Sequence, residues 1–220
     1  MFISLEGIEG CGKTTQLEFL STFLEDKGRS CVVTREPGGT AIGKKIRSIL
    51  LDPASTELVP AAELLLYMAD RAQHIDSLIK PQLAEGKIVV CDRYFDATVV
   101  YQGFARGLDA GFIRDLHRII FENLKPDITL LLDLAPRIGL ARAWQELDRG
   151  NRCGTESRFE EEAIGFHEKV RAGYLELARM EPKRFKIIDA SRQIDEVQAD
   201  IRKVLSAALD PNPDKPEPIK

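Results

Sequence analysis

The sequence predicts an α/β fold in which helices cover a parallel sheet of five strands. Five strand-like runs alternate with helical segments along the chain, at Phe2–Glu6, Cys31–Arg35, Ile88–Asp92, Ile128–Asp133 and Phe185–Asp189. Most of these runs are continuously apolar, which is typical of strands that helices cover on both faces. The clearest helical periodicity lies at 57–83, 110–123, 136–148, 158–180 and 194–209.

The chain length limits the number of domains. At 220 residues the chain can form one well-packed domain, or at most two small ones. Nothing between the elements resembles a linker, so we expect a single domain over residues 1–209. Residues 210–220 contain four prolines among alternating charges, a composition that predicts a disordered tail.

Charge and cysteine usage exclude several classes of partner. The net charge of −4 provides no basic surface for nucleic acid or for an anionic membrane. No apolar run reaches transmembrane length, and the N-terminus lacks the pattern of a signal peptide. The four cysteines have no metal-like spacing. We therefore expect a cytoplasmic protein that binds neither nucleic acid nor membrane.

A glycine-rich segment follows the first strand and precedes a helical pattern. Residues 7–14 match G-x-x-x-x-G-K-S/T, the phosphate-binding loop. Its glycines let backbone N–H groups point at phosphate oxygens, Lys13 can reach the transferring phosphates, and Thr14 can bind Mg²⁺. A chance glycine-rich turn is disfavoured by the strand and helix around it. The predicted ATP-binding residues are Gly7, Ile8, Glu9, Gly10, Cys11, Gly12, Lys13, Thr14 and Thr15.

The second predicted strand ends in the segment Thr-Arg-Glu-Pro-Gly-Gly-Thr at 34–40. Pro-Gly-Gly predicts a tight turn, after which a helix opens near Thr40. Arg35 is either a phosphate clamp or a surface partner of Glu36, and the residues alone leave both possibilities open.

The third predicted strand ends at Asp92 and Arg93. A carboxylate at the carboxyl end of a strand beside a phosphate loop is well placed to hold Mg²⁺. The Arg93 guanidinium would then point into the same crevice and grip a phosphate. A solvated Asp–Arg pair is the alternative, which the neighbouring phosphate loop disfavours.

A charged segment at about 145–162 contains glycines that can act as hinges. The segment is either a lid that delivers an arginine to the transferring phosphoryl group or a solvated corner between helices, and the residues alone leave both possibilities open. Its candidate arginines are Arg149, Arg152 and Arg158.

Together these motifs resemble those of the bacterial thymidylate kinases, over residues 1–209. The narrowest markers are the Thr-Arg-Glu-Pro-Gly-Gly segment and the triplet Tyr-Gln-Gly at 101–103, which follows Asp-Arg-Tyr at 92–94. The resemblance implies a nucleoside monophosphate kinase fold with strand order 2-3-1-4-5, and a homodimer. It also implies the reaction dTMP + ATP → dTDP + ADP, with Mg²⁺ as the cofactor.

The resemblance assigns roles on the acceptor side of the site. Glu9 matches the acidic residue that faces the acceptor's sugar, and Tyr101 matches the tyrosine that crowds its 2′ position. Tyr67 matches the ring that stacks on thymine, and Arg71 matches the arginine that bonds the base edge. The other matching residues are Arg47 and Arg93 on the phosphate, and Thr98 and Gln102 in the base pocket. Arg35, whose role the residues leave open, is also counted among the predicted dTMP-binding residues as a second phosphate clamp.

Two departures bear on catalysis. Gly10 and Cys11 stand where some relatives carry a catalytic arginine, so the chain resembles the subgroup whose lid supplies the cation. The lid segment is longer than expected, and Ser-Arg-Phe-Glu at 157–160 replaces the commoner Asp-Arg-Ile/Leu-Glu. We favour Arg152 as the catalytic lid residue, beside Lys13, Asp92 and Arg93. Arg142 is a weak match to an arginine that stacks on adenine.

Two other functions stay open at this point. Another phosphate-loop kinase, such as a deoxynucleoside kinase, would share the loop and the Asp-Arg pair. A nucleotide-dependent switch would bind nucleotide tightly and hydrolyse it slowly, without rapid turnover that depends on an acceptor. The arginine-rich acceptor side argues against the switch.

Overall fold

The computed structural model describes residues 1–149 and 156–209. Within them, five parallel strands form one sheet in the order β2-β3-β1-β4-β5. The strands are β1 (Phe2–Glu6), β2 (Cys31–Arg35), β3 (Ile88–Asp92), β4 (Ile128–Asp133) and β5 (Phe185–Asp189). The predicted fold class, strand bounds and strand order are therefore confirmed.

Burial explains why the predicted strand bounds agree with the structure. The central strands β1, β3 and β4 are buried along almost their whole length, so each needs a continuous apolar run. The edge strands β2 and β5 are partly exposed, and Val33 and Ile187 face solvent there. The carboxyl ends of all five strands meet at one edge, where their loops can form a common site.

Helices and two π-helical segments connect the strands. The α-helices are α1 (Lys13–Asp26), α2 (Ala41–Leu51), α3 (Pro60–His74), α4 (Lys80–Ala84), α5 (Phe95–Thr98), α6 (Ala110–Ile120), α7 (Pro136–Asp148), α8 (Ile164–Met180) and α9 (Ile194–Leu209). The π-helical segments are Ile75–Ile79 and Val99–Ala105. In the described part of the chain, no helix is long and apolar enough to cross a membrane.

Several helix predictions agree with the structure, and others need correction. The predictions for α7 and α9 are confirmed at both ends, and Thr40 caps α2 by accepting from the Gly43 N–H at 2.9 Å. The single helix predicted at 57–83 is wrong in detail, since it consists of α3, a π-helical segment and α4.

The helices predicted at 110–123 and 158–180 are shorter in the structure. The first ends at Ile120 because Glu122 and Asn123 adopt positive φ angles, which break the helix. The second begins only at Ile164. Before it, the backbone N–H of Arg158 bonds the carbonyl of Leu51 rather than a helical partner. The predicted tail at 210–220 lies outside the described residues.

Candidate active site

A cavity of about 1010 Å³ opens at the carboxyl edge of the sheet. It brings together residues from the phosphate loop, from the ends of β2 and β3, and from α3 and the helical segments after β3. The predicted site residues that line it are Glu9, Gly10, Cys11, Gly12, Lys13, Thr14, Thr15, Arg35, Arg47, Tyr67, Arg71, Asp92, Arg93, Thr98, Tyr101 and Gln102. Gly7 and Ile8 do not line it, and Arg152 lies outside the described residues.

The phosphate loop needs glycine for two different reasons. Gly7 has φ 141°, and a Cβ there would lie 2.6 Å from the carbonyl oxygen of Leu132. Gly12 has φ 94° and caps α1, with open space where a Cβ would stand. The loop backbone is therefore accessible from the cavity at the positive end of a helix, where phosphate binds favourably.

Lys13 is folded back over this loop. Its Nζ donates to the carbonyl oxygens of Gly7 at 3.2 Å and Ile8 at 2.9 Å. The ammonium group is thus held above the loop, at the side of the cavity where phosphates would lie.

Asp92 and Thr14 provide the oxygen ligands that Mg²⁺ prefers. One carboxylate oxygen of Asp92, Oδ1, is buried and has no hydrogen-bond partner among the described residues. Thr14 is exposed, and both side chains line the cavity. No group of three or more His, Cys, Asp and Glu that could hold a metal occurs within the described ranges. Because Mg²⁺ is usually held by one or two carboxylates together with substrate phosphates, this pair suits it.

Glu9, Arg93 and Tyr101 form a hydrogen-bonded cluster in the cavity. The Tyr101 hydroxyl donates to Glu9 Oε1 at 2.6 Å, and Arg93 Nη2 donates to the same oxygen at 2.9 Å. The Arg93 guanidinium also lies 4.9 Å from the centre of the Tyr101 ring. Arg93 has φ 64°, an uncommon backbone angle for a residue other than glycine. The chain therefore adopts an unusual turn where this guanidinium enters the cavity.

Glu9 is charged in this setting. Burial alone would raise the pKa of Glu9, but the charges of Arg93 and Lys13 and the bond from His167 hold that pKa well below its usual range. His167 on α8 is fully buried, and its Nδ1 lies 3.0 Å from Glu9 Oε2. His167 could not be predicted as a site residue from the sequence, because it lies within a helical pattern far from every motif.

Two buried residues outside the cavity lining, Tyr174 and Glu6, hold Arg93 in place. Its Nη1 donates to the Tyr174 hydroxyl at 3.1 Å, and this hydroxyl donates to Glu6 Oε2 at 2.7 Å. Burial, followed by the nearby charge of Asp96, raises the pKa of Glu6 to about 8. A chain of hydrogen bonds thus connects β1 to the cavity through Tyr174 and Arg93.

Arg71 lies on α3 and also lines the cavity. Its Nε donates to Glu36 at 2.8 Å, and its Nη2 donates to the Thr98 hydroxyl at 2.9 Å. Its Nη1 is buried and has no partner in the part of the chain that the structure describes. Glu36 also bonds His74 Nδ1 at 2.9 Å. Arg71 is therefore rigidly held with one donor left for a ligand, and half-buried Tyr67 lines the cavity beside it.

The two other arginines predicted to bind a phosphate, Arg35 and Arg47, differ in their surroundings. Arg35 is exposed and lines the cavity. The possibility that it pairs with Glu36 on the surface is wrong, because Glu36 is buried against Arg71 and His74. Arg47 forms a two-pronged ion pair with Glu156, at 3.0 and 2.8 Å. Its guanidinium therefore joins α2 to the residue that follows the undescribed segment.

Gln102 and Arg158 meet at a buried carboxylate. Gln102 Nε2 donates to Glu63 Oε1 at 2.8 Å, and Arg158 Nη1 lies 2.7 Å from Glu63 Oε2. Arg106 approaches the same side chain at 3.4 Å. Arg158 does not line the cavity. The charge that it would bring to a phosphate is instead paired with Glu63.

The cavity extends beyond the phosphate loop, past α7 and the end of β5. Arg142 Nη1 donates to the carbonyl oxygen of Ala190 at 3.1 Å, which fixes its side chain at this edge. Exposed Arg149 lines the cavity and pairs with Glu146 at 2.9 Å. The lining continues over residues 190–194, which the sequence analysis did not identify because they carry no phosphate-binding motif.

Comparisons with known proteins agree with this arrangement. Residues 5–201 match the family model described as thymidylate kinase. Thymidylate kinase of Desulfosudis oleivorans is 61% identical over 190 residues, covering 86% of this chain and 89% of the relative. That of Desulforapulum autotrophicum is 53% identical, covering 91% and 88%. The crystal structure of thymidylate kinase from Ehrlichia chaffeensis superimposes with a TM-score of 0.73 at 33% identity, covering 94% of this chain and 98% of that one.

Proposed function

Since this chain belongs to the thymidylate kinase family and phosphorylates dTMP with ATP, we propose how its cavity divides between the two substrates. The phosphate loop and residues 190–194 form the donor half, which binds ATP. Glu9, Arg71, Arg93 and Tyr101 form the acceptor half, which binds dTMP. The observation that carries this division is the ion pair between Arg93, which follows β3, and Glu9 of the phosphate loop, both of which line the cavity.

The acceptor half matches the chemistry of a thymidine nucleotide. The unpartnered Nη1 of Arg71 supplies a donor for a carbonyl on the base edge. The half-buried Tyr67 supplies a ring for the base face. Arg93 presents a guanidinium for the phosphate, while Tyr101 and Glu9 meet the sugar. Arg35 and, once released from Glu156, Arg47 add positive charge at the phosphate.

Transfer of the γ-phosphoryl group requires positive groups that stabilise the negative charge on its oxygens. An oxygen of the dTMP phosphate forms a bond to the γ-phosphorus of ATP, the bond from that phosphorus to the bridging oxygen breaks, and ADP leaves. Lys13 and the loop N–H groups stabilise the charge on the donor side, and Arg93 does so on the acceptor side. We propose Asp92 and Thr14 as the residues that hold Mg²⁺, which when bound neutralises phosphate charge.

A further cation completes this arrangement. Gly10 and Cys11 leave the phosphate loop without an arginine, so we propose that the lid segment supplies one. Arg152 is our first choice and lies outside the described residues. Arg149 already lines the cavity, whereas Arg158 is paired with Glu63.

We further propose a homodimer and a cytoplasmic location. Helix α6 leaves Phe112, Ile119 and Ile120 exposed, and these side chains offer an apolar face to a second copy. Analytical ultracentrifugation of the wild type and of Ile119→Glu tests the dimer, since a dimer through this face should dissociate in the variant. The scattered cysteines favour the cytoplasm.

An acceptor screen tests the proposed acceptor half. Because Arg93 should hold a phosphate that is already on the acceptor, dTMP should be phosphorylated and thymidine should not. Turnover of thymidine at a rate similar to that of dTMP would instead indicate a nucleoside kinase.

A further inference from the structure

His167 connects α8 to the phosphate loop through one hydrogen bond. The ring is fully buried, and its Nδ1 lies 3.0 Å from Glu9 Oε2. Because the carboxylate can only accept, Nδ1 must carry the proton and donate. The ring lies edge-on to Phe166, with 5.6 Å between ring centres. His167 is thus a fixed donor that reaches Glu9 from outside the cavity lining.

Among the described residues, Glu9 has three donors, and these are unequally divided between its two oxygens. Oε1 accepts from Tyr101 at 2.6 Å and from Arg93 at 2.9 Å, whereas Oε2 accepts from His167. Each carboxylate oxygen can accept about two hydrogen bonds. Oε1 is therefore fully used, and Oε2 keeps one free acceptor site. The bond from His167 also fixes the plane of the carboxylate, because the other two donors meet at a single oxygen.

The free site on Oε2 suits a hydroxyl donor from the acceptor nucleotide. Glu9 is part of the phosphate loop, and it lines the cavity together with Tyr101. Apart from the N–H of its base, dTMP carries one strong donor, the 3′-hydroxyl of deoxyribose. The base is assigned to the region of Arg71, so the 3′-hydroxyl is the donor that remains for Glu9.

We propose that His167 is a positioning residue that orients Glu9 to accept the 3′-hydroxyl and so makes the enzyme selective for acceptors that carry it. This inference rests on the proposed contact between Glu9 and the sugar. Without the donor at His167, the carboxylate keeps Tyr101 and Arg93 on Oε1 but is free to turn about that oxygen. The free site on Oε2 then no longer points steadily at the sugar.

The test compares dTMP with its 3′-deoxy analogue, 2′,3′-dideoxythymidine monophosphate, as acceptors. His167→Phe keeps a ring of similar size and removes the donor, whereas His167→Asn keeps an N–H near the position of Nδ1. In the wild type, kcat/KM should favour dTMP. In His167→Phe that preference should fall about tenfold, because KM for dTMP should rise. A change of this size is expected when a hydrogen bond to a charged group is lost. His167→Asn should restore most of the preference, and KM for ATP should not change.

Different results separate the possible failures. A wild-type enzyme that uses both acceptors equally well would show that the proposed Glu9 contact is wrong, while leaving dTMP phosphorylation intact. A His167→Phe variant that slows both acceptors in parallel would show a purely structural role and overturn the inference.

A measurement on the wild type covers the case in which His167→Phe does not fold. The Nδ1–H proton NMR signal of His167 should shift when dTMP binds and shift much less with the 3′-deoxy analogue. Equal shifts with the two nucleotides would also overturn the inference.

Discussion

Arg93 donates to Glu9 across 2.9 Å, and this ion pair joins the end of the third strand to the phosphate loop. Both residues are largely buried, so their charges are weakly screened by water. The same guanidinium reaches Tyr174 and lies over the ring of Tyr101. The proposed acceptor half is therefore held in shape by the protein's own contacts.

Arg93→Ala should weaken the use of dTMP far more than the binding of ATP. The variant loses the proposed grip on the dTMP phosphate, and a hydrogen bond to a charged group contributes about 1.5–3 kcal/mol. We therefore expect the Kd for dTMP to rise by about 10- to 100-fold. Titration calorimetry with each nucleotide measures the effect, with Arg93→Lys as the matched control that keeps the charge. Equal losses of affinity for ATP and dTMP would contradict this role.

Tyr101→Ala should relax the discrimination against ribose. The ring packs edge-on against Phe159, Phe166 and Tyr174, so it is held firmly where the 2′ position of the sugar is expected. A ribose hydroxyl would collide with it and lose its water without gaining a partner. The measurement is the ratio of kcat/KM for dTMP and ribothymidine monophosphate. Tyr101→Phe is the control and should keep the ratio, because it keeps the ring. If Tyr101→Ala also keeps it, Tyr101 does not form the wall of the sugar pocket.

Glu6 should make the stability of the enzyme depend on pH. Its pKa is raised from 4.5 to about 8, chiefly by burial. Between these values the folded state holds a proton that the unfolded state releases, so this contribution to stability decreases as the pH rises from about 4.5 to 8. Glu6→Gln cannot ionise and lacks this contribution. Its free energy of unfolding relative to the wild type should therefore increase by up to about 1.4 kcal/mol per pH unit.

Urea unfolding of both proteins at pH 5 and pH 8 measures this difference. Because other titrating groups are shared by the two proteins, the comparison isolates Glu6. A difference in unfolding free energy that stays constant between the two pH values would show that Glu6 does not hold a proton in the folded state.

At least one of the lid variants Arg149→Ala, Arg152→Ala and Arg158→Ala should lose about 10²-fold or more in kcat, with ATP binding nearly unchanged. A cation that arrives on closure acts on the transition state rather than on bound substrate. We favour Arg152. Arg158→Ala should in addition lower the melting temperature, since it leaves Glu63 with fewer partners.

Single-turnover kinetics and thermal unfolding of the three lid variants separate these effects. Wild-type kcat in all three would show that the segment is a solvated corner. The cation would then have to come from Arg35, Arg47 or Arg93.

The sequence predicted those elements correctly whose structure is determined by the residues of their own segment. The buried strands β1, β3 and β4 each need a continuous apolar run, and Pro136 marks the start of α7. The phosphate loop carries residue types that few structures other than phosphate sites require together. These features could therefore be predicted from their own segments.

Other features depend on contacts between distant segments. The π-helical segment Val99–Ala105 has the same apolar character as an α-helix, so periodicity could not reveal it. Nothing near His167 or Tyr174 indicates that they reach Glu9 and Glu6, which precede them by 158 and 168 positions. The pairing of Arg47 with Glu156 could not be predicted either, because the two residues are 109 positions apart.

Steady-state release of ADP with and without dTMP tests the central claim most directly. We expect ADP release to be slow with ATP alone and to rise strongly when dTMP is added, because the acceptor phosphate completes the charged site. Lys13→Ala should remove this dTMP-dependent turnover while circular dichroism shows an intact fold. ADP release that is the same with and without dTMP would contradict the account and would indicate a nucleotide-hydrolysing switch instead.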